Sequence, residues 1–548
     1  MRKHLPIFEQ SDGGVFLYSL THSATIVGID GKKIAVEVDI ANGLPQLTIV
    51  GLPDPAIREA VERVRAAIKN SGFQFPLGRI TVNLAPANLR KEGTSFDLAI
   101  AIGILTASGQ LRNDLFADAL VIGELSLDGT VQPLAGVLAM IEEARKEQFR
   151  YIILPKDNIQ EAICLSGLHY IGLKQLKQLT NVNDLLHSTT HTALAIVNSE
   201  SETNKWMNQM TQQLDYSDVI GQQVALRAML IAASGKHNVL LSGAPGTGKT
   251  MMVRRLPSIL PPLDEDEALA VTKIYSISGK LPSHLNGLLA MPPFRAPHHT
   301  ISSAGLIGGG IIPKPGEITL AHHGILFLDE LLEFPRQLLE MLRQPLEDRF
   351  VNISRTRAAV TFPASFMLLA SYNPCPCGFF NQSLYHDQRC TCSSIQISRY
   401  LSKLSGPLRD RFDMQLHIAK PIHLQMNNMI PTPDVQLLAQ NNFQSSPLHS
   451  SAAMRLVVMQ ARQYSLQRNK QFAIKYNSEL NGAALRRAAS LEPNAKTLLL
   501  HVFDHFQLSM RSYDRIIKVA RTIADMEQNE SITEQHIAEA LQYRQMEL

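Results

Sequence analysis

Apolar and polar positions alternate through Ile34, Val36, Val38 and Ile40, directly after an Asp30-Gly31 turn signal, and this period of two predicts a half-buried strand. Ile57, Val61, Val64 and Ile68 recur instead at the helical period behind Asp54-Pro55 and stop before Gly72, so a helix with a marked start and end is predicted there. With further strands at Ile80–Leu84, Leu120–Gly123 and Tyr151–Leu154, residues 16–186 read as an α/β or α+β domain behind a leader, 1–15. Residues 187–212, from His187-Ser188-Thr189-Thr190-His191 through Ser199–Thr203, are polar and poorly periodic, as a linker is. From 213 to 420 apolar strand runs alternate with helices and Gly-rich turns, the order of a doubly wound parallel sheet. A second linker, 421–450, precedes a wholly helical segment, 451–548, in which Val502, Phe506, Met510 and Tyr513 and then Ile516, Val519 and Ile523 keep the helical period. No internal repeat is found.

Composition narrows the function classes. The 548 residues carry 52 basic and 49 acidic side chains, a formal charge of +3, so bulk charge does not wrap nucleic acid and any such contact needs a local patch. No apolar run nears the ~20 residues of a membrane span, and Met1-Arg2-Lys3-His4-Leu5-Pro6 does not open a signal peptide; the expected compartment is the cytoplasm, with no membrane partner. Four of the five cysteines fall in one short segment, which argues for a metal site over a disulfide scaffold.

The chemistry begins at Val239-Leu240-Leu241, an apolar strand run that leads into Gly243-Ala244-Pro245-Gly246-Thr247-Gly248-Lys249-Thr250 and a helical Met251–Arg255. This is a full GxxxxGK[ST] in strand–loop–helix context. Glycines let backbone N–H groups curl around phosphate oxygens, Lys249 neutralises the β/γ-phosphates of ATP, and the Thr250 hydroxyl ligates Mg²⁺. Downstream, Gly324–Leu328 reads as a buried strand ending in Asp329-Glu330, one acid for the Mg²⁺ shell and one to polarise the attacking water. Cys375-Pro376-Cys377 and Cys390-Thr391-Cys392 can close a tetrahedral, structural Zn²⁺ shell, with free thiols or a redox pair as the alternative. Cys164 reads as an ordinary buried thiol. The His298-His299 and His322-His323 pairs are read as local hydrogen-bonding groups, not as a metal site.

These motifs resemble those of the AAA+ ATPases. The resemblance implies that Asn373, after a strand at Phe366–Ala370, is the sensor-1 residue, that Arg411 in Leu408-Arg409-Asp410-Arg411-Phe412-Asp413 is an arginine finger with Arg409 as runner-up, and that Arg511 is sensor 2, reaching the γ-phosphate from a helical lid. Arg515 and Arg521 on the same helix read as surface cations. A finger acts across a subunit boundary, so a ring is implied. Phe294–Thr300, Gly305–Gly310 and Lys314–Glu317, then a helix Gln337–Leu346 and a hairpin of Arg349–Ser354 and Ala358–Phe362, resemble the helix-2 insert and pre-sensor-1 hairpin of the branch that holds Mg-chelatase and MCM-type ATPases. That likeness implies pore loops, with Arg355, Arg357 and Lys314 on DNA; the bland reading of the two arginines is a solvated hairpin tip.

Gly43-Leu44-Pro45, Ile49–Pro53, Val82–Ala87, Lys91-Glu92-Gly93, Asn373–Gly378 and Ser405–Leu408 extend the likeness nearly end to end, to the ComM/YifB family of Mg-chelatase-like AAA+ proteins. The family implies an α/β chain made of a Lon-protease-like α+β N-terminal domain, an AAA+ core and a helical lid. It also implies a homohexameric, ATP-driven DNA helicase that promotes branch migration on single-stranded and branched double-stranded DNA in natural transformation and homologous recombination, beside RecA filaments. Within the Lon-like part, Ser95 falls at the nucleophile position and Leu138 at that of the catalytic lysine, so the serine lacks its base. Two other classes stand beside the motor: a chelatase-type protein remodeller, although no DxSxS module is present, and an ATP-dependent protease, which Leu138 disfavours.

Overall fold

A computed structural model of the chain describes residues 17–89, 91, 93–112, 116–181, 214–219, 221–282, 287–310, 313–355, 358–380, 390–419 and 450–544. The leader 1–15, the linker 187–212 and residues 421–449 therefore lie outside the described residues. Two compact units emerge: Met1–Glu200 with Leu269–Leu289, and Ser201–Ala268 with Ala290–Leu548.

The first unit is built on a mixed seven-stranded sheet in the order Gln46–Val50, Arg79–Ala85, Asp30–Ala41, Leu17–Val27, Ala119–Val121, Tyr151–Pro155, His169–Leu173. Its antiparallel hairpin, Leu17–Val27 with Asp30–Ala41, turns at Gly28, whose φ of 68° suits a residue without a Cβ. The turn thus falls two residues before the Asp30-Gly31 signal. Gly31 lies inside the strand, where an added Cβ would stand 2.4 Å from the Ala139 carbonyl oxygen. Ile34, Val36, Val38 and Ile40 point into the core, as their period requires. The helix Pro55–Asn70 starts where Asp54 accepts the Ile57 N–H at 2.8 Å and buries Ile57, Val64 and Ile68. The helix Asp97–Ala107 is apolar nearly all round and buried, and it lies on polar side chains of the first strand: Ser19 donates to the Gly103 carbonyl at 2.7 Å and Thr21 to that of Ala99 at 3.2 Å. The Ser19 and Thr21 hydroxyls are thereby satisfied, which is what permits their burial.

The second unit holds five parallel strands in the order Phe294–Arg295, Ile325–Leu328, Met367–Tyr372, Val239–Gly243, Met414–Ile418. Val239–Gly243 is first in sequence but fourth in space, so the strand order reverses beside it. Open parallel sheets bind ligands at the carboxyl ends of strands at such a reversal. Ser451–Asn469, Pro493–His505, Met510–Met526 and Glu534–Gln542 form the helical C-terminal part, and they share one apolar core with the sheet. The run from Val502 to Tyr513 is two helices, because Gln507 takes a φ of 46° between them. The helix read over Gln337–Leu346 is likewise two, Arg336–Met341 and Arg343–Asp348.

Candidate functional site

Sheet order alone brings the phosphate-loop residues together. Ser242 pairs with Tyr372, and Leu328 with Ala370, so the loop after Gly243, the acid pair after Leu328 and Asn373 all leave adjacent strands at the same edge. The loop curls through Gly246 and Gly248 at φ 75° and 93°, with open space where their Cβ atoms would stand, and Lys249 begins the helix. Thr247 bonds back to the Ala244 carbonyl at 3.0 Å. Lys249 is 7% exposed and donates to the carbonyls of Gly243 at 2.6 Å and Ala244 at 2.8 Å and to Asn373 Oδ1 at 3.3 Å. Burial lowers its pKa, opposed by the Asp329 and Glu330 carboxylates.

The Thr250 hydroxyl donates to Asp329 Oδ2 at 2.8 Å, and Ser371 donates to Oδ1. Hard oxygen donors fixed by a neighbouring strand suit Mg²⁺. Ser371 has no motif position, and its adjacency to Asp329 appears only once the strands are paired. Glu330 stands in the left-handed region, φ 52° and ψ 48°, a strained choice for a non-glycine residue that turns its carboxylate off the strand. The side chain is half exposed, with His299 Nδ1 at 3.7 Å. Of the other paired histidines, His298 bonds with Thr300 at 2.9 Å and His322 accepts the Ser365 N–H at 3.0 Å, whereas His323 Nδ1 lies 3.3 Å from a Glu267 carboxylate oxygen without a hydrogen bond.

Arg411 and Arg511 meet in a different place. Both line a cavity of about 320 Å³, none of whose walls comes from the phosphate loop. Arg411 is 4% exposed and paired with Glu347, and Arg511 Nη2 lies 3.8 Å from the same carboxylate. Arg409, the alternative finger, donates to Gln415 at 3.3 Å. Arg515 and Arg521 are not surface cations. Arg515 binds the buried Asp413 and donates to the Arg411 carbonyl at 3.0 Å, while Arg521 is fully buried and bound to Asp525 at 3.0 Å. The helical period put both on the face that packs inward, where such partners offset the cost of desolvating a guanidinium.

The Sγ atoms of Cys375, Cys377, Cys390 and Cys392 all lie within 4.8 Å of one another, with pairs at 3.3, 3.6 and 3.7 Å. Tetrahedral Zn²⁺ with bonds of about 2.3 Å sets its sulfurs about 3.8 Å apart, so the four thiols fit that ion. Cys164 is half-buried, its thiol pushed up to about 11 by burial. The two hairpins also form. Lys314 is exposed on the short one, Gly308–Gly309 with Lys314–Pro315. Phe350–Arg355 pairs with Ala358–Pro363, the backbone of Arg355 opposite Ala358; Arg357 lies outside the described residues. In the first unit Ser95 is buried and donates weakly to the Ala24 carbonyl at 3.4 Å, and Leu138 is a core residue. No described helix is long and apolar enough to cross a membrane.

A parallel sheet in this order, with lysine, threonine, acid pair and asparagine converging at its edge and a helical domain behind, is that of an AAA+ P-loop ATPase. A family model described as Magnesium chelatase, subunit ChlI, matches residues 215–426; Subunit ChlI of Mg-chelatase matches 36–158, and Magnesium chelatase, subunit ChlI C-terminal, matches 448–544. YifB of Escherichia coli is 40% identical over 528 residues, 96% of this chain and 97% of that one. Competence protein ComM of Haemophilus influenzae is 40% identical over 532 residues, again 96% and 97%. A Lon protease of Chloroflexus aurantiacus is 29% identical over 181 residues, 31% of this chain and 22% of its own length. The chain belongs to the ComM/YifB family of magnesium-chelatase-like AAA+ proteins. Membership implies ATP and Mg²⁺ as ligands and ATP hydrolysis as activity.

Proposed function

We propose that this protein is a cytoplasmic, homohexameric ATPase that translocates on single-stranded and branched double-stranded DNA, driving branch migration and heteroduplex extension in natural transformation and homologous recombination, beside RecA filaments. The observation that carries the reading is the separation of two half-sites on one chain: a phosphate loop with its acids at one place, and an arginine pair in a cavity with no phosphate-loop wall at another. Each half is completed by a second copy, and a head-to-tail seam of that kind closes into a ring.

At the seam, Lys249 exchanges the carbonyls of Gly243 and Ala244 for phosphate oxygens, and the N–H groups from Gly246 to Thr250 face the same oxygens. Thr250 and Asp329, oriented by Ser371, hold Mg²⁺, which when bound neutralises charge on the β- and γ-oxygens. Glu330 accepts the proton of the attacking water while Asn373 positions it, and Arg411 with Arg511 from the neighbour stabilises the equatorial oxygens. Cys375, Cys377, Cys390 and Cys392 hold a structural Zn²⁺. Arg355, Arg357 and Lys314 grip DNA phosphates as the hairpins move, so affinity falls with salt.

The ChlI family models, which cover most of the chain, favour a second reading in which the ring remodels a partner protein in metal insertion. Peptidase action has less support, because a buried Ser95 is left without a base at Leu138. DNA-stimulated ATPase, cochelatase stimulation and casein turnover, measured side by side, separate the three. The motor predicts ATPase stimulated by forked or four-way DNA, with strand displacement that Arg355→Ala/Arg357→Ala abolishes. Lys249→Ala should lose nucleotide binding, and Glu330→Gln should bind ATP without turnover. Unchanged unwinding by the double variant would exclude the hairpin.

A further inference from the structure

Six cationic side chains and four carboxylates line the arginine cavity, and the carboxylates are unevenly shared. Asp413 takes Arg515, Glu479 takes Arg349 at 2.7 Å, and the fourth acid, Asp514, acts electrostatically on Lys518. Lys518 meets a neutral oxygen, the Ser478 carbonyl at 3.0 Å, and Lys236 the Ser365 hydroxyl at 2.9 Å. Glu347 is left to serve both Arg411 and Arg511 through a single oxygen, Oε1.

The two sides of that contact differ in depth. Glu347 stands on the short helix Arg343–Asp348 with its side chain 51% exposed, whereas Arg411 is buried. Arg411 Nε, moreover, is buried with no hydrogen-bond partner. Buried N–H groups are rarely left empty, and a guanidinium with an unused edge takes a second oxygen most readily from a planar or tetrahedral oxyanion. A carboxylate offers one negative charge to a cavity with two cations in excess, and a terminal phosphoryl group offers more.

We infer that Glu347 is an internal stand-in for phosphate: in the separate chain it occupies Arg411 and Arg511, and the nucleotide phosphate on the phosphate loop of a second copy of this chain displaces it as the two copies meet. This rests on the seam of the proposed function and on none of its DNA chemistry. Glu347 therefore opposes assembly until nucleotide is present, because each arginine must leave one anion before it meets the other. Exposed on one side, the contact is weak enough to exchange.

The test uses the full chain carrying Glu330→Gln, titrated with Mg-ATP and followed by sedimentation velocity. Adding Glu347→Gln, which keeps the shape and removes the charge, should lower the ATP concentration for half-assembly by about fivefold to tenfold, the scale of one coupled contact. Arg411→Ala in the same background should cancel the gain, and Glu347→Ser should reproduce it, so that poor folding of either Glu347 variant leaves the other to decide. An unchanged or raised ATP requirement overturns the stand-in. With inorganic phosphate in place of ATP the chains should stay apart; assembly on phosphate alone would overturn delivery by a neighbour's loop. If the Glu330→Gln parent never assembles, the seam itself is lost, whereas a parent that assembles and ignores Glu347→Gln loses the stand-in alone.

Discussion

Asp413→Asn probes the device that fixes the arginine segment. The Asp413 carboxylate is 5% exposed, accepts the Asn238 N–H at 3.0 Å, lies 3.4 Å from His237 Nδ1 and pairs with Arg515, which in turn holds the Arg411 carbonyl. The asparagine keeps the volume but turns one acceptor into a donor that faces donors. Removing one partner of a buried ion pair costs about 3–5 kcal/mol, and since Arg515 retains some solvent contact the lower end, about 3 kcal/mol, is expected. Arg515→Met should cost a similar amount, and the double variant about 2–3 kcal/mol less than the two singles together. Proximity to the Arg515 guanidinium, against the cost of burial, holds the Asp413 carboxyl well below the usual carboxylate range. A depressed acid stabilises the fold above its unfolded pKa and loses that contribution as pH falls through the folded one. The deficit of Asp413→Asn should accordingly be full at pH 7 and shrink below about pH 4. Urea melts by circular dichroism at both pH values, with ATPase rates alongside, measure it. Additive costs for the two singles, or a deficit below about 1 kcal/mol at pH 7, would refute the reasoning.

Asp97 should behave in the opposite sense. Burial pushes its carboxyl up to about 6 against the pull of Arg63, so the folded first unit binds a proton before the unfolded chain does. Stability should rise by up to about 3 kcal/mol as pH is lowered from 6 to 4, and Asp97→Asn should flatten that slope in melts across the range. The purified chain should carry about one zinc per molecule by elemental analysis, and Cys375→Ser should lose it and melt at lower temperature. A metal-free wild type with an unchanged melt would remove the zinc.

What the sequence could reveal follows from locality. A strand run, a Gly-rich loop and a helix in succession identify Gly243–Thr250 because their chemistry is written over eight adjacent positions. Alternation placed Ile34–Ile40 in the core for the same reason. Ser19 and Thr21 face inward although they are polar, since their partners are carbonyls of a helix 84 and 78 residues away. Leu269–Leu289 belongs to the first unit although it follows the phosphate loop in sequence, which no periodicity signals. Glu347 and Arg515 bear no motif, and their roles arise when distant turns bring them to Arg411. Arg521 shows the cost of reading charge as exposure: on an amphipathic helix with a wide apolar face, it was the buried Asp525 that decided its side.

Mixing two inactive proteins tests most directly whether hydrolysis occurs between copies. Lys249→Ala lacks a working phosphate loop and keeps its arginines; Arg411→Ala has the converse defect. Each alone should be nearly silent, and the equimolar mixture should regain ATPase at about one quarter of its seams, the fraction in which random order sets an intact loop against an intact arginine. A mixture as silent as its parts, or full activity of Arg411→Ala alone, would contradict the shared site.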